Sequence, residues 1–447
     1  LLPAKRITIN LLPANIRKNG AGFDLPIALA ILGALGIVPD LAQKEMFVIG
    51  EVSLSGEIHP VNGILPMISE AYENGISACI VPFENRKEAG LIHGIKVYPV
   101  KNVKEAITVI NGEMDVSLEE NKTEIKTKEK VPDFAEINGQ QILKRACETA
   151  VSGMHNLLMV GPPGAGKTMT AMRIPSILPP LKIKEQMELS KIYSVCGLFS
   201  NRESLMEVRP FRCPHHTISP YGLAGGGSIP RPGEISLAHK GVLFLDELPE
   251  FGRNTLEVLR GPLEDGSVTI SRVGASLTYP CNFMLIASMN PCPCGYYGDE
   301  EKECKCSPQE IHRYLNKISG PLLDRIDIKV DVKTPKFEKI TSNVKSESSE
   351  QIRERVNKVR NIQLERYKEF NIYSNSELNT KLIAEFCKLD SKGEELLENA
   401  FKKLNLSVRA YERILKVART IADMDGKENI ESKHIAEAIQ YRSLNKW

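Results

Sequence analysis

Apolar and polar positions change their spacing along the chain and so divide it into stretches of different predicted structure. In the first stretch, short strand-like runs at Arg6–Leu11, Phe47–Gly50 and Ala78–Val81 alternate with helical runs, which is typical of a compact α/β domain. The longest apolar run, Leu25–Pro39, is shorter than the roughly 20 residues of a membrane span. We therefore predict a buried helix there and no association with a membrane.

Buried-strand patterns recur in the middle of the chain. They lie at Leu157–Val160, Val242–Leu245 and Phe283–Ser288, with helical or loop segments between them. This order predicts a doubly wound α/β core with a parallel sheet. The last stretch has helical periodicity throughout and predicts an all-helical domain. Its expected helices are Gln351–Tyr367, Thr380–Cys387, Gly393–Leu404, Val408–Asp423 and Ser432–Ser443.

The changes of pattern set the predicted domain boundaries. They give an α/β domain at 1–114, a solvated linker at 115–132, the α/β core at 133–335 and the helical domain at 336–447. The linker is assigned because Glu, Lys, Thr, Asn and Ser replace apolar residues there. Because the chain begins with Leu1 and not Met, we expect the first domain to be truncated.

The composition is that of a globular protein, with 42% apolar and 26% charged residues. The 58 basic and 56 acidic residues leave a formal net charge of +2, so any contact with nucleic acid has to come from a local basic patch. The sequence contains no secretory signal, and we expect a cytoplasmic protein. In that compartment its ten cysteines would not form a disulfide framework.

An eight-residue motif after the first core strand predicts a nucleotide site. The stretch fits the pattern G-x-x-x-x-G-K-[ST], in which backbone N–H groups of a glycine-rich loop surround phosphate oxygens. Lys167 would supply positive charge to the β- and γ-phosphates, and Thr168 a hydroxyl ligand for Mg²⁺. The residues expected to contact ATP are Gly161, Pro162, Pro163, Gly164, Ala165, Gly166, Lys167 and Thr168. An ordinary glycine turn is the alternative interpretation.

Polar residues at the ends of the next two core strands extend this prediction. Asp246 and Glu247 follow Val242–Leu245. We expect Asp246 to hold the Mg²⁺ shell and Glu247 to polarise the attacking water. Asn290 follows the third strand, where its amide would orient the water against the γ-phosphate. An acidic pair can also form a plain turn, and Asn before Pro is a common turn starter.

Arg325, at the end of a predicted helix, has two interpretations. In a lone chain it would form a surface ion pair with Asp324 or Asp327. In a ring it would reach the γ-phosphate of a neighbour as an arginine finger, an effect of about 10³–10⁵ in turnover.

Four cysteines predict a metal site. Cys292, Cys294, Cys304 and Cys306 lie within fifteen residues, and structural Zn²⁺ is held by four soft ligands in a tetrahedron. Two short Cys pairs on either side of a loop can provide them, although C-x-C is tighter than the usual spacing. Free reduced cysteines are the alternative.

A further segment predicts a hairpin that contacts phosphate groups. Ser267–Tyr279 alternates at period two around a Gly-containing turn, which indicates a β-hairpin. In a ring this hairpin would project into the central pore, where Arg272 would meet phosphate groups. The glycine-rich Tyr221–Ser228 would form a second pore loop. The alternative is two surface loops without a ligand.

Three longer motifs carry a family resemblance: RCPHHT at Arg212–Thr217, GGGSIPRPGEISLAH at Gly225–His239, and the helical Ser407–Asp423. With the nucleotide motifs, they make the whole chain resemble AAA+ ATPases, and more specifically the magnesium-chelatase-like YifB/ComM family. The resemblance implies a homo-hexameric ring that binds ATP and Mg²⁺. It also implies that Arg409, in a C-terminal helical lid, is a second sensor that contacts phosphate.

The resemblance also bears on what the ring does. It implies a motor that hydrolyses ATP and acts on DNA, as a helicase or in branch migration during recombination or transformation. The alternative that it leaves open is the ATPase subunit of a magnesium-chelatase-like complex, which works with partner proteins on a porphyrin.

The N-terminal domain resembles the Lon-type protease, S5-like fold, through Lys18–Pro26 and Pro60–Pro66. Those proteases carry a Ser in the first segment and a Lys in the second. This chain has Gly22 and Leu65 near those positions, so no nucleophile and base are paired. We therefore expect the domain to serve assembly or to bind a protein partner, and a Lon-like protease is the least favoured function.

Overall fold

The computed structural model describes most of the chain. The described residues are 6–11, 21–39, 45–113, 132–199, 204–227, 230–272, 275–299, 301–334, 346–370, 372–404 and 406–442. The predicted linker lies outside them except for its last residue, and so does the boundary predicted between 335 and 336. Among the described helices, none is long and apolar enough to span a bilayer.

A small parallel sheet organises the N-terminal region. The strands here are β1 (Met46–Val48), β2 (Glu51–Val52), β3 (Ile58–His59), β4 (Ala78–Pro82) and β5 (Lys96–Val100). The sheet has the order β1–β4–β5 and is parallel, while β2 and β3 form an antiparallel pair. The α-helices are Asp24–Ala34, Ile64–Glu73, Arg86–Ala89 and Val103–Asn111.

Two predictions for this region are wrong. Arg6–Leu11 lies outside regular structure and is exposed, so its apolar positions bury no surface that would stabilise a strand. The helix predicted over Leu25–Pro39 is mostly half-buried and ends at Ala34. Gly36 follows with a φ of +72°, a left-handed conformation that ends helices.

Five parallel strands form the central sheet. The strands of this region are β6 (Leu157–Val160), β7 (Phe211–Arg212), β8 (Gly225–Gly226), β9 (Arg231–Pro232), β10 (Val242–Leu245), β11 (Ser267–Arg272), β12 (Ala275–Pro280), β13 (Met284–Met289) and β14 (Ile328–Asp331). The sheet order is β14–β6–β13–β10–β7, and every pairing in it is parallel. We call the side where β6, β10 and β13 finish the carboxyl end of the sheet, and the opposite side the amino end.

Both faces of this sheet are packed. Leu157 and Met159 belong to one apolar cluster, and the alternate residues Leu158 and Val160 belong to another, as the two-residue period of a strand requires. The α-helices of the region are Gln141–Gly153, Lys167–Ala171, Ile174–Ile177, Ile183–Val195, Pro220–Ala224, Glu234–Leu237, Arg253–Glu257, Pro262–Asp265, Pro308–Leu315 and Gly320–Asp324. The predicted α/β core is confirmed.

The C-terminal region is helical, as predicted. Its α-helices are Ser349–Arg366, Thr380–Phe386, Ser391–Lys403, Val408–Met424 and Ser432–Gln440. Val417 and Ile421 of the fourth helix join the same apolar cluster as Leu157 of the sheet. The helical region therefore shares a core with the central sheet.

The N-terminal region is also fixed to the core. Helix Ile64–Glu73 packs against helix Ile183–Val195. The N–H of Leu65 donates to Ser194 Oγ (3.3 Å), and the N–H of Gly63 donates to the Ser194 carbonyl oxygen (3.0 Å). Leu65, which stands near the lysine position of the Lon-type proteases, is fully buried in this contact.

Candidate nucleotide site

The P-loop, Gly161–Thr168, leaves β6 at the carboxyl end of the sheet. A Cβ on Gly161 would lie 2.1 Å from the carbonyl oxygen of Val332, so no other residue fits there. Gly164 and Gly166 have φ angles of +78° and +86°, which only glycine adopts without strain. The backbone therefore requires the glycines that define the motif.

Lys167 is held inside this loop. Its ammonium donates hydrogen bonds to the carbonyl oxygens of Gly161 (2.6 Å) and Pro162 (2.8 Å) and to Oδ1 of Asn290 (3.1 Å). The residue is 8% exposed. Burial lowers its pKa to about 8, although two nearby carboxylates act in the opposite direction. The P-loop lysine and the predicted sensor are thus in direct contact.

Asp246 and Thr168 form a pair of oxygen ligands. The Thr168 hydroxyl donates to Oδ2 of Asp246 (2.7 Å), and the Ser288 hydroxyl donates to the other carboxylate oxygen. Mg²⁺ binds oxygen octahedrally at 2.0–2.1 Å, so adjacent ligands lie about 2.9 Å apart. The Thr168 and Asp246 oxygens therefore fit a magnesium ion.

Glu247 has an unusual backbone conformation at the end of β10. Its φ and ψ are 54° and 49°, a left-handed conformation that costs a non-glycine residue of order 1 kcal/mol. Its N–H donates to Oδ1 of Asp246 (3.1 Å). The exposed side chain borders a cavity of about 370 Å³, together with Asn290 and Tyr314. A water molecule and a phosphate group could reach Glu247 from this side.

Arg325 occupies a different position from the one expected of a lone chain. It is 6% exposed, donates to the Pro321 carbonyl oxygen (2.9 Å) and forms an ion pair with Glu264. The predicted surface pairing with Asp324 or Asp327 is wrong, because both aspartates pair with other arginines.

Arg409 pairs with the same glutamate. Its Nη2 lies 3.4 Å from Oε1 of Glu264. One helical turn later, Arg413 pairs with the buried Asp327 and donates to the Arg325 carbonyl oxygen (3.0 Å). Burial opposes ionisation of Asp327, yet the charge of Arg413 holds the pKa of this carboxyl well below its usual value. These contacts join the helical region to the residues directly before β14, at the amino end of the sheet.

The two arginines and the P-loop lie at opposite ends of the sheet. The N–H of Asp327, directly before β14, donates to the carbonyl oxygen of Asn156, directly before β6 (3.1 Å). The P-loop begins after the four residues of β6, which span roughly 13 Å at about 3.3 Å per residue. The structure therefore brings neither Arg325 nor Arg409 to the P-loop of its own chain.

The four predicted cysteine ligands come together. All four sulfur atoms lie within 4.8 Å of one another. The Sγ–Sγ distances are 3.3 Å for Cys292–Cys294, 3.7 Å for Cys292–Cys304 and 3.6 Å for Cys294–Cys304. Zinc–sulfur bonds of about 2.3 Å in a tetrahedron put the sulfur atoms about 3.8 Å apart. The cluster therefore has the size that a zinc ion needs.

The predicted hairpin is present as β11 and β12, paired antiparallel. Hydroxyl groups face each other across its exposed side, at 2.9 Å for Thr269 and Thr278. A Cβ on Gly225 in β8 would lie 2.7 Å from Cδ1 of Ile270 in β11, so β8 packs against the hairpin. The predicted pore loop Tyr221–Ser228 is in part regular structure, since it contains the end of helix Pro220–Ala224 and strand β8. The side chain of Arg272 and the turn after it lie outside the described residues.

Two residues of the site have no role in the sequence predictions. Ser288 had a visible signal, since it is a polar residue at the end of a buried strand, two positions before Asn290. Glu264 had no signal in the sequence, because Arg325 and Arg409, which it pairs with, are 61 and 145 residues away along the chain. Only the folded structure reveals that one carboxylate holds both.

Three sequence families match the chain. The family described as magnesium chelatase, subunit ChlI, matches residues 133–340, and the family of the C-terminal part of that subunit matches residues 346–442. A third, subunit ChlI of magnesium chelatase, matches residues 1–85.

Similar proteins cover the same length. Competence protein ComM of Haemophilus influenzae is 44% identical over 450 residues, which are 99% of this chain and 86% of ComM. The protein YifB of Escherichia coli is 41% identical over 446 residues, again 99% of this chain and 86% of YifB. Lon protease 2 of Bacillus subtilis is 29% identical over 99 residues, which are 22% of this chain and 18% of the protease.

Proposed function

The chain belongs to the magnesium-chelatase-like YifB/ComM family of AAA+ ATPases, and from that premise we propose that it hydrolyses ATP with Mg²⁺ in a ring of identical chains and moves DNA. One observation carries the proposal. The residues that fit a magnesium-bound triphosphate and the two arginines stand at opposite ends of one sheet. A complete site then takes one end from each of two neighbouring copies.

At the carboxyl end, the chain's own residues bind the triphosphate and orient water. Lys167 exchanges its present acceptors for phosphate oxygens, and Thr168 and Asp246 hold the metal. Bound Mg²⁺ neutralises charge that develops on the phosphates. Glu247 polarises the attacking water, and Asn290 orients it.

At the amino end of the neighbouring copy, Arg325 and Arg409 supply positive charge to the same phosphates. An arginine finger of this kind contributes about 10³–10⁵ in turnover. Both guanidinium groups now share Glu264, so they are already side by side. Six copies, as the family resemblance implies, would close such contacts into a ring.

The proposal that DNA is the substrate rests on the hairpin and on the relatives. The hairpin presents hydroxyl groups on its exposed side, and the loop containing β8 packs against it. Hydroxyl groups and an arginine, here Arg272, are common contacts to phosphate and sugar. One relative that matches 99% of the chain is named a competence protein.

An ATPase assay with and without DNA tests this substrate. We expect single-stranded or branched DNA to stimulate ATP hydrolysis, and Arg272→Ala to abolish the stimulation while basal hydrolysis persists. Arg86→Ala, in the N-terminal region, is the matched control and should respond like the unmodified protein. An ATPase that ignores every DNA tested contradicts DNA as the substrate and leaves the ATPase proposal intact.

A second candidate is the ATPase subunit of a magnesium-chelatase-like complex. The descriptions of the matching families favour it. This function requires additional subunits, so porphyrin metallation by a reconstituted mixture, and none by the chain alone, would support it over the DNA motor.

We further propose that Cys292, Cys294, Cys304 and Cys306 bind one structural Zn²⁺. The sulfur spacing fits a tetrahedral ion. Two backbone N–H groups also donate to the sulfurs, from Cys294 to Cys306 (3.4 Å) and from Tyr297 to Cys292 (3.3 Å). Metal analysis of the purified protein should find one zinc per chain, and a metal-free protein contradicts the proposal.

A further inference from the structure

The four-cysteine cluster lies directly against the nucleotide site. Cys292 is only two residues after Asn290, the residue that accepts a hydrogen bond from the P-loop lysine. The N–H of Gly161, the first P-loop residue, donates to the carbonyl oxygen of Met289 (3.2 Å). The segment that carries the cysteines therefore begins where β13 meets the P-loop.

The cysteine segment also touches the P-loop at a second point. Gly295 has a φ of +87°, and a Cβ on it would lie 2.6 Å from Cδ of Pro163. The loop backbone thus packs directly on the P-loop, in the turn between Cys294 and Cys304. A small cavity of about 90 Å³ between the two segments is lined by Gly161, Pro162 and Gly295.

Regular secondary structure does not hold this segment in place. Among the described residues between β13 and helix Pro308–Leu315, none lies in a helix or a strand. The sulfur cluster brings Cys292 and Cys304 within 3.7 Å. A metal ion there would tie the two ends of the segment together and fix the turn that packs on Pro163.

We propose that Zn²⁺ in the four-cysteine cluster positions the nucleotide site, by holding Pro163 of the P-loop and Asn290 in place. This inference rests on the proposed ATPase activity and zinc binding, and adds that the two sites are coupled. The cysteines are positioning residues, since they are not among the residues proposed to contact phosphate. A displacement of about 1 Å at a reacting group can cost about 10²-fold in rate.

Zinc removal tests the coupling. The protein is treated with a chelator, returned to buffer with Mg²⁺, and compared before and after for zinc content, binding of a fluorescent ATP analogue and turnover. We expect turnover to fall about 10²-fold and the analogue to bind at least tenfold more weakly. Added Zn²⁺ should restore both, and Co²⁺ should do so with a visible thiolate-to-cobalt absorption band. Unchanged binding and turnover after complete zinc loss overturn the inference.

A variant that keeps the zinc gives an independent test. Gly295→Ala leaves all four thiols in place but pushes a methyl group against Pro163. We expect zinc content to stay at the unmodified level while nucleotide binding weakens about tenfold. Cys196→Ser, at a cysteine outside the cluster, should change neither quantity. Gly295→Ala with full zinc and normal nucleotide binding would overturn the inference.

The failures of the separate proposals can be told apart. An unmodified protein that binds no ATP analogue refutes the ATPase proposal. A protein that binds ATP but contains no zinc refutes both the zinc site and the coupling. A protein that holds both ligands and loses zinc without any effect on nucleotide refutes the coupling alone.

Discussion

The two ends of the central sheet hold their functional residues in different ways. At the carboxyl end, Lys167 and Thr168 make hydrogen bonds to neutral or singly charged acceptors that phosphate and metal can replace. At the amino end the functional residues form ion pairs, and in the pair of Arg413 and Asp327 the carboxylate is buried. The first end is suited to exchange a ligand, whereas at the second end the pair of Arg413 and Asp327 holds the geometry. In the proposed ring each end is half of a nucleotide site, and damage to one half should spare the other.

The strongest test of this comparison is Arg325→Ala. If Arg325 serves the site of a neighbour, turnover should fall by about 10³–10⁵ while the chain still binds ATP at its own P-loop. Lys167→Ala should instead lose ATP binding.

A mixture of the Arg325→Ala and Lys167→Ala variants tests directly whether the site is shared between chains. A ring that contains both has interfaces with an intact Lys167 on one chain and an intact Arg325 on the other, so part of the activity should return. Turnover of the mixture in an ATPase assay checks this. Sites built within one chain would give no recovery at all.

Glu247→Gln tests the carboxyl end alone. The substitution removes the carboxylate that we propose polarises the attacking water, so turnover should drop by about 10²–10⁴. ATP should bind as before, because the amide occupies the same volume and Lys167, Thr168 and Asp246 are intact. Equilibrium binding and steady-state turnover measure the two effects, and a normal rate would refute the role of Glu247.

Asp327→Ala tests whether the amino end is a structural unit. Removing the buried carboxylate takes the opposite charge from the partly buried Arg413 and the acceptor from the N–H of Asn156, which should lower the free energy of unfolding by about 3–5 kcal/mol. Glu398→Ala is the control, since both partners of its pair with Lys402 are exposed and such a pair is worth about 0–1 kcal/mol. Urea unfolding gives both values. If both variants lost the same free energy of unfolding, the prediction that the buried carboxylate contributes more would be wrong.

The low pKa of Asp327 adds a pH dependence to the same experiment. The folded-state pKa lies below the usual value, so the pair contributes stability above a pH of about 4 and loses it as the pH falls further. The acid sensitivity of unfolding should therefore be smaller in Asp327→Ala than in the unmodified protein.

The smallest expected effect concerns pH and Lys167. Burial lowers the pKa of this lysine to about 8, and phosphate would raise it again by stabilising the charged form. ATP binding should therefore take up a proton above pH 8, and affinity should fall by up to tenfold per pH unit there. Calorimetry in two buffers of different ionisation enthalpy measures the uptake. Constant affinity from pH 7 to pH 9.5 would contradict it.

The sequence predicted the carboxyl end well because its signals are local. The strand at Val242–Leu245 was predicted with its observed bounds, and Asp246 and Glu247 follow it without a gap. The backbone strain at Glu247 was not predictable, because nothing in the residue type indicates a left-handed conformation. The strand predicted at Arg6–Leu11 is wrong because a local alternation is not sufficient: these residues are exposed, so burial does not stabilise a strand there.

The amino end was predicted only in part because its contacts are distant along the chain. Arg325 and Arg409 were named as functional residues, but their shared partner Glu264 is far from both in sequence. Arg413 and Asp327 are separated by 86 residues. Ion pairs of this kind follow from how the helical region packs on the sheet, and periodicity does not report that packing.

Glu264 lies half-exposed between two guanidinium groups, and this has a consequence for how chains would associate in the proposed ring. A neighbour's polyphosphate can engage Arg325 and Arg409 only by competing with a carboxylate that already satisfies them. Association of two chains would then exchange one anion for another around the two arginines. This exchange gains little binding free energy unless the incoming anion carries more charge than the Glu264 carboxylate. A γ-phosphate supplies that extra charge. The affinity between chains should therefore be higher with a bound triphosphate and lower once the terminal phosphate has left.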